Sequence, residues 1–159
     1  MARELITTWG DYQIAIDRLL AIPASRIRLY DEDLQQLNCD SPARLEALQR
    51  LLQTARRPDA LQIAVRNAAP LRARHPRLLR LLAAYSHIAA ARETPSQLAH
   101  LRDNLLLIDD RHALVRFDRD QPRAKLLIDE PDEVGGYLHR FDEIWAEGGE
   151  EISATTLGL

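Results

Sequence analysis

Ile14, Ala15, Leu19 and Ile22 recur at helical spacing and Pro23 stops the run, so the pattern predicts a first helix over Asp11–Ala21. SRIRLYD then changes period. Ile27 and Leu29 point one way and Arg26, Arg28 and Tyr30 the other, which predicts a strand over Ser25–Tyr30 with one buried face. Ser41-Pro42 supplies an N-cap followed by proline at the first helical position. Leu45, Leu48, Leu51 and Leu52 give the buried stripe of that helix, ending near Arg56. Pro58-Asp59 turns the chain into ALQIAVR, a second strand centred on Ala60–Val65.

The next helix starts at Pro70 or Pro76 and carries Leu78, Leu79, Leu81 and Leu82 to about Tyr85; a short third strand, Ile88–Ala91, follows within HIAAAR. Asn104–Asp109 and Ala113–Phe117 are separated by three residues and predict a hairpin. AKLLIDE is a sixth strand. A closing helix opens at Asp129 or Asp132, buries Val134, Leu138, Phe141, Ile144 and Trp145, and ends at Gly148-Gly149. Gly135-Gly136 inside it predicts a close contact with the sheet, because glycine otherwise weakens a helix.

The alternation of helix and strand up to Ala91 argues for parallel strands joined by right-handed crossovers, and the tighter later connections for antiparallel pairs. The expected fold is α/β: a mixed, mainly parallel sheet with helices on both faces, in one domain over residues 1–149. The tail 150–159, EEISATTLGL, lacks periodicity and reads as loosely ordered or paired with a neighbouring chain.

Length agrees with one domain: 159 residues, 46% hydrophobic and 28% charged, are ordinary for a globular protein. No apolar run approaches the roughly 20 residues that cross a bilayer. MARELITTWGD has neither the basic start nor the apolar centre of a signal peptide, so a cytoplasmic protein without membrane association is expected. One cysteine, Cys39, excludes an internal disulfide and, alone, a zinc site.

The net charge of −3 conceals an asymmetry. Ser41–Arg92 holds ten arginines against Glu46 and Asp59, whereas Asp118–Glu151 holds eleven acids against Arg119, Arg123, Lys125 and Arg140. Such an asymmetry fits helices of opposite sign lying side by side, or a basic face that meets an acidic partner or nucleic acid. The absence of aromatics among the arginines argues against a stacking surface.

Candidate chemistry gathers at strand ends. Asp31, Glu32 and Asp33 follow the first strand, where open α/β sheets place their ligand crevice; the three carboxylates, Asp31 and Asp33 first among them, could hold Mg²⁺, or they could start a helical turn. Arg66 and Asn67 end the second strand at the same edge and could bind a phosphate or carboxylate. Of His75, His87, His100, His112 and His139, none stands at a metal-ligand spacing, and only His100, just before the hairpin, is placed for catalysis. No G-x-S-x-G or G-x-G-x-x-G frame occurs, and no cofactor is implied.

The hairpin DNLLLIDDRHALVRF, with the strand–helix alternation before it, resembles half of a phospholipase D-like domain. That family's motif, His-x-Lys-x4-Asp, leads into an apolar strand and a turn to the next; its histidine attacks phosphorus, its lysine neutralises phosphate oxygens and its aspartate orients the site. With Asp109 in the aspartate place, Arg102 stands where histidine belongs and Asn104 where lysine belongs. With His100 and Arg102 in the first two places, Leu107 falls in the third. The triad is incomplete either way, and an arginine cannot act as the nucleophile because its guanidinium stays protonated. Arg102, Asn104 and Asp109 are therefore candidates for binding rather than catalysis.

From about Ile6 to Glu147 the chain also resembles uncharacterised bacterial domains with this degenerate pattern, through SRIRLYDEDL, HPRLLRLL, LLLIDDRHALVR and FDEIWAEG. Such domains occur alone or attached to GNAT-type N-acetyltransferases. The resemblance implies a non-catalytic, binding or regulatory domain whose partner is an acetyltransferase, another protein or a second copy in a homodimer. Two alternatives stand beside it: a phosphodiesterase or phosphatidyl-type transferase using His100 in a rearranged site, and a nucleic-acid-binding module.

Overall fold

Short strands with alternating inward positions build one eight-stranded sheet in the computed structural model, which describes residues 1–153. The elements run β1 (Ala2–Ile6), α1 (Trp9–Leu20), β2 (Ile27–Asp31), α2 (Pro42–Thr54), β3 (Leu61–Val65), α3 (Ala69–Arg74), α4 (Pro76–Ala84), β4 (Ala89–Glu93), β5 (Asn104–Ile108), β6 (His112–Arg116), β7 (Ala124–Ile128), α5 (Pro131–Ala146) and β8 (Glu150–Glu151). The strand order is β1-β7-β6-β5-β2-β3-β4-β8.

The sheet is mixed but mostly antiparallel, not mainly parallel as the alternation suggested. Among the described residues only β2–β3 and β3–β4 are parallel; the β1–β7, β7–β6, β6–β5, β5–β2 and β4–β8 pairs are antiparallel. The crossovers through α2 and α3–α4 do give parallel neighbours. The rest of the sheet is then added as a meander, because β5, β6 and β7 follow each other through turns too short for a crossover. Two strands escaped the pattern: β1, with Arg3, Glu4 and Leu5 exposed along an edge, and the two-residue β8.

Helices lie on both faces, as expected. Ile27, Leu29, Leu61 and Ile63 pack one way with Leu19, Leu48, Leu51, Leu78 and Leu82 of α1, α2 and α4. Tyr30, Ala64, Leu105 and Leu107 pack the other way with Val134, Phe141 and Ile144 of α5. Full burial of each of these leucine, isoleucine, valine and phenylalanine side chains contributes about 1.5–3 kcal/mol. The helices of opposite charge therefore do not lie side by side: the arginine-rich α2–α4 and the acidic α5 occupy opposite faces.

Local chemistry sets the boundaries. Thr8 caps α1, its Oγ1 accepting from Asp11 N–H at 3.1 Å. Proline opens α2, α4 and α5, where its missing N–H has no partner to lose. Gly149 ends the turn after α5 at φ +126°, and a Cβ there would stand 2.2 Å from the Glu93 carbonyl oxygen. That close approach lets Glu150–Glu151 pair with β4 of the same chain, and Ile152 N–H donates to Ala91. The remainder of the predicted tail, residues 154–159, lies outside the described residues. Gly135 and Gly136 make no close contact; a Cβ at either would meet nothing within 4 Å.

Candidate functional site

Because β5 runs antiparallel to both β2 and β6, the ends of β2 and β3, the start of β5 and the end of β6 share one edge of the sheet. Asp31 and Arg116 both end strands there on the inward register of Leu29 and Leu114, and each is 1% exposed. They form an ion pair, Nη2 to Oδ1 at 3.2 Å. The other Asp31 oxygen accepts from the Leu34 and Asp33 N–H groups at 2.8 and 3.2 Å, closing a turn in which Leu34 is held at φ +66°. Burial pushes the Asp31 carboxyl above the ordinary range, against the pull of Arg116 and these N–H groups. Arg116 also donates to the Arg119 carbonyl at 2.7 Å and lies near the Trp9 and Tyr12 rings, 5.3 and 5.1 Å from their centroids. Its Nε is buried without a hydrogen-bond partner.

Arg66 is the second buried cation. It donates to Glu32 at 2.8 Å, to the Asp103 carbonyl at 2.7 Å and to Asn104 Oδ1 at 2.8 Å, with its guanidinium 4.7 Å from the Tyr30 ring centroid. Asn104, 1% exposed, also accepts from Glu32 N–H at 2.9 Å. Glu32 is shared with Arg119, again at 2.8 Å. Its burial acts to raise the carboxyl, but the hydrogen bonds from Arg66 and Arg119 outweigh that and hold it below the usual range. Outside this core, Arg102 grips Asp118 with two hydrogen bonds of 2.7 and 2.9 Å and also binds Asp120. A polar cavity of about 410 Å³ opens over the edge, lined by Glu32, Asp33, Gln35, Gln36, Arg116, Arg119 and Asp120.

The sequence candidates thus divide. Arg66, Asn104 and Asp31 converge, and Asp33 lines the cavity. Asn67 is exposed and fixes the turn into α3, accepting from Ala69 N–H. Arg102 stands at the same edge but is engaged by Asp118 and Asp120. His100 is exposed in the loop ahead of β5. Asp109 does not join them. It follows the far end of the five-residue β5, roughly 17 Å of strand away at about 3.3 Å per residue. There its Oδ1 accepts from the Ser25 and Arg26 N–H groups at 2.9 Å each, pinning the hairpin turn to the start of β2.

Of the carboxylates proposed for Mg²⁺, Asp31 has both oxygens engaged within the chain, and Asp33 Oδ1 accepts from Gln35 N–H at 3.0 Å. Arg116 and Arg119 lie outside the ligand candidates that the sequence offers, whereas Glu32 is one of the three carboxylates that follow β2. The usable signal was parity: Asp31 continues the inward series Ile27, Leu29, and Arg116 the inward series after Leu114, so an acid and a base were due on one buried face.

A family described as a domain of unknown function, DUF7931, matches residues 11–156. No curated protein matches the chain. Among solved structures, the phospholipase D family member Nuc from Salmonella typhimurium superposes with a TM-score of 0.66 at 11% identity, over 96% of this chain and 99% of Nuc. TrmBL2, an archaeal chromatin protein whose structure shows a novel mode of DNA binding, superposes with a TM-score of 0.69 at 13% identity, over 96% of this chain. The chain spans about half of TrmBL2, 55% of its length. These likenesses establish the phospholipase D-like fold.

Proposed function

We propose that this chain, which belongs to the DUF7931 family and has the phospholipase D-like fold, is a non-catalytic domain with a binding or regulatory role. One observation supports the reading: Arg102 and Asn104, which the register ending at Asp109 sets in the histidine and lysine places, are both engaged within the chain at the sheet edge. A phosphohistidine route needs an exposed neutral imidazole about 3 Å from phosphorus beside a free cationic clamp. Here the clamp cations Arg66 and Arg116 are buried against Glu32 and Asp31. The edge therefore offers a shaped, charge-compensated cavity in place of a nucleophile. Incubation with bis(p-nitrophenyl) phosphate is expected to release no nitrophenolate above the buffer rate. Release that His100→Ala abolishes would replace this reading with that of an enzyme.

A second reading is favoured by the basic stretch Ser41–Arg92 and by the likeness to TrmBL2: the bound partner is nucleic acid. A second copy of the chain, or an acetyltransferase as the resemblance implies, stands beside it as a protein partner. Light scattering at high concentration separates the first of these, since a lone 18 kDa species would remove the homodimer.

A further inference from the structure

Most arginines of this chain are neutralised by a carboxylate, from Arg3 against Glu133 to Arg140 against Asp103. Arg72 and Arg74 of α3 and Arg77 and Arg80 of α4 are different. Among the described residues, none of the four guanidinium groups has an ion-pair or hydrogen-bond partner. The sequence contains no acid between Asp59 and Glu93 that could supply one. The nearby carboxylates that do reach these helices are spent on their first turns: Glu93 accepts from Ala68 N–H at 2.8 Å and Asp40 from Leu78 N–H at 2.7 Å.

The arrangement faces outward. Leu78, Leu79 and Leu82 turn the other side of α4 into the core, leaving Arg74, Arg77 and Arg80 exposed and Arg72 half-buried. Arg77 and Arg80 are three apart on one helix, a like-charge spacing that costs some stability and is relieved by an anion. The other exposed positions on these two helices are Ala69, Ala73, Pro76, Ala83 and Ala84, all compact, so a backbone could approach closely. None of the exposed large apolar side chains, Met1, Leu5, Ile14 and Phe117, lies on this face, so it has nothing to insert into a bilayer. Tyr85, the nearest aromatic in the sequence, is already stacked on His87, which leaves no platform for unpaired bases. Guanidinium forks match phosphate oxygens two at a time.

We propose that the outward face of α3 and α4 is a sequence-independent binding surface for the phosphodiester backbone of duplex nucleic acid, contacted by Arg72, Arg74, Arg77 and Arg80. The proposal rests on the nucleic-acid reading above and adds the surface, the residues and the duplex form. Each neutralised phosphate contributes about −0.9 to the slope of log K against log salt. Four contacts give a slope near −3.6, or roughly 150-fold weaker binding at about 200 mM than at about 50 mM salt.

The test is fluorescence polarisation of the full chain with a labelled random-sequence DNA duplex across that salt range. The double variants Arg72→Gln/Arg74→Gln and Arg77→Gln/Arg80→Gln are each expected to lower the slope by about 2, and the quadruple variant to abolish most binding. Glutamine retains helix propensity, and unchanged thermal melts certify the fold. Arg111→Gln, at the far end of the sheet, should bind as wild type does. Duplex binding that the quadruple variant leaves intact overturns the proposed surface while sparing the nucleic-acid reading. No salt-dependent binding by the wild type overturns both. Tighter binding to vesicles of anionic phospholipid, or to an unstructured single strand, overturns the duplex assignment.

Discussion

Replacing Arg116 with methionine should cost about 3–5 kcal/mol of folding stability near neutral pH. The substitution keeps most of the stem's volume, so the loss is electrostatic. Asp31 would be left 1% exposed with only the Leu34 and Asp33 N–H groups to solvate its charge. The Arg119 carbonyl, 2.7 Å from Arg116 Nη1, would lose its donor as well. Asp31 has an escape, which is to take up a proton. Its carboxyl is already raised by burial, and without Arg116 it rises further. A carboxyl raised above its unfolded value contributes stability that is complete below the unfolded value and is lost as pH rises through the folded one. The variant's deficit should therefore be smaller near pH 5 than near pH 8, by about 1.4 kcal/mol for each unit of additional shift that falls in that window. Asp31→Asn removes the charge but keeps an oxygen for the turn, so Arg116→Met should cost less in that background, with a coupling of about 0.5–3 kcal/mol. Urea unfolding of the four proteins at both pH values supplies the cycle. A loss below about 1 kcal/mol for Arg116→Met, or additivity of the two changes, would refute the claim that this pair is the closed core of the edge.

Two further expectations concern backbone and charge. Gly149→Ala should destabilise by about 1–3 kcal/mol, since its φ of +126° and the Glu93 carbonyl leave no room for a Cβ, whereas Gly136→Ala should stabilise by about 0.5–1 kcal/mol; thermal melts that rank them otherwise would contradict the geometry. Hydrogen bonds from Arg102 and from Asp120 N–H hold the Asp118 carboxyl down from 3.8 to about 2. A depressed carboxyl contributes stability present above its unfolded value and lost as pH falls through the folded one. In low salt, any excess melting temperature of wild type over Arg102→Gln should therefore close between about pH 4 and about pH 2, and a gap that widens on acidification would sink this assignment.

The elements were legible where one physical signal dominated. Pro42 after Ser41 set the start of α2, and Ile27 and Leu29 set the inward face of β2. The hairpin emerged from two apolar runs three residues apart. Strand direction was not legible, because periodicity reports which face is buried and not which strand lies alongside. β5 is inserted next to β2 by pairing Leu29 with Leu106, and nothing local to either strand encodes that partnership. β1 was hidden because an edge strand with Arg3, Glu4 and Leu5 exposed carries little alternation. The site was half legible for a related reason. Arg66 and Asp31 stand out at strand ends and Asn104 through motif spacing, but Arg116 sits 85 positions from its partner Asp31, and only the assembled sheet brings them together. Asp109 was grouped with Arg102 by motif spacing, whereas an extended strand separates them.

The central claim, that this edge keeps the fold without phosphodiester chemistry, is tested most directly by turnover. Wild type and the five single histidine-to-alanine variants should be followed with a chromogenic phosphodiester, a phosphatidyl lipid and single-stranded DNA, from about pH 5 to about pH 9, where a histidine route would titrate. The expected result is one common background rate for all six proteins at every pH. Product formation by wild type that a single histidine variant removes, His100→Ala above all, would contradict the account.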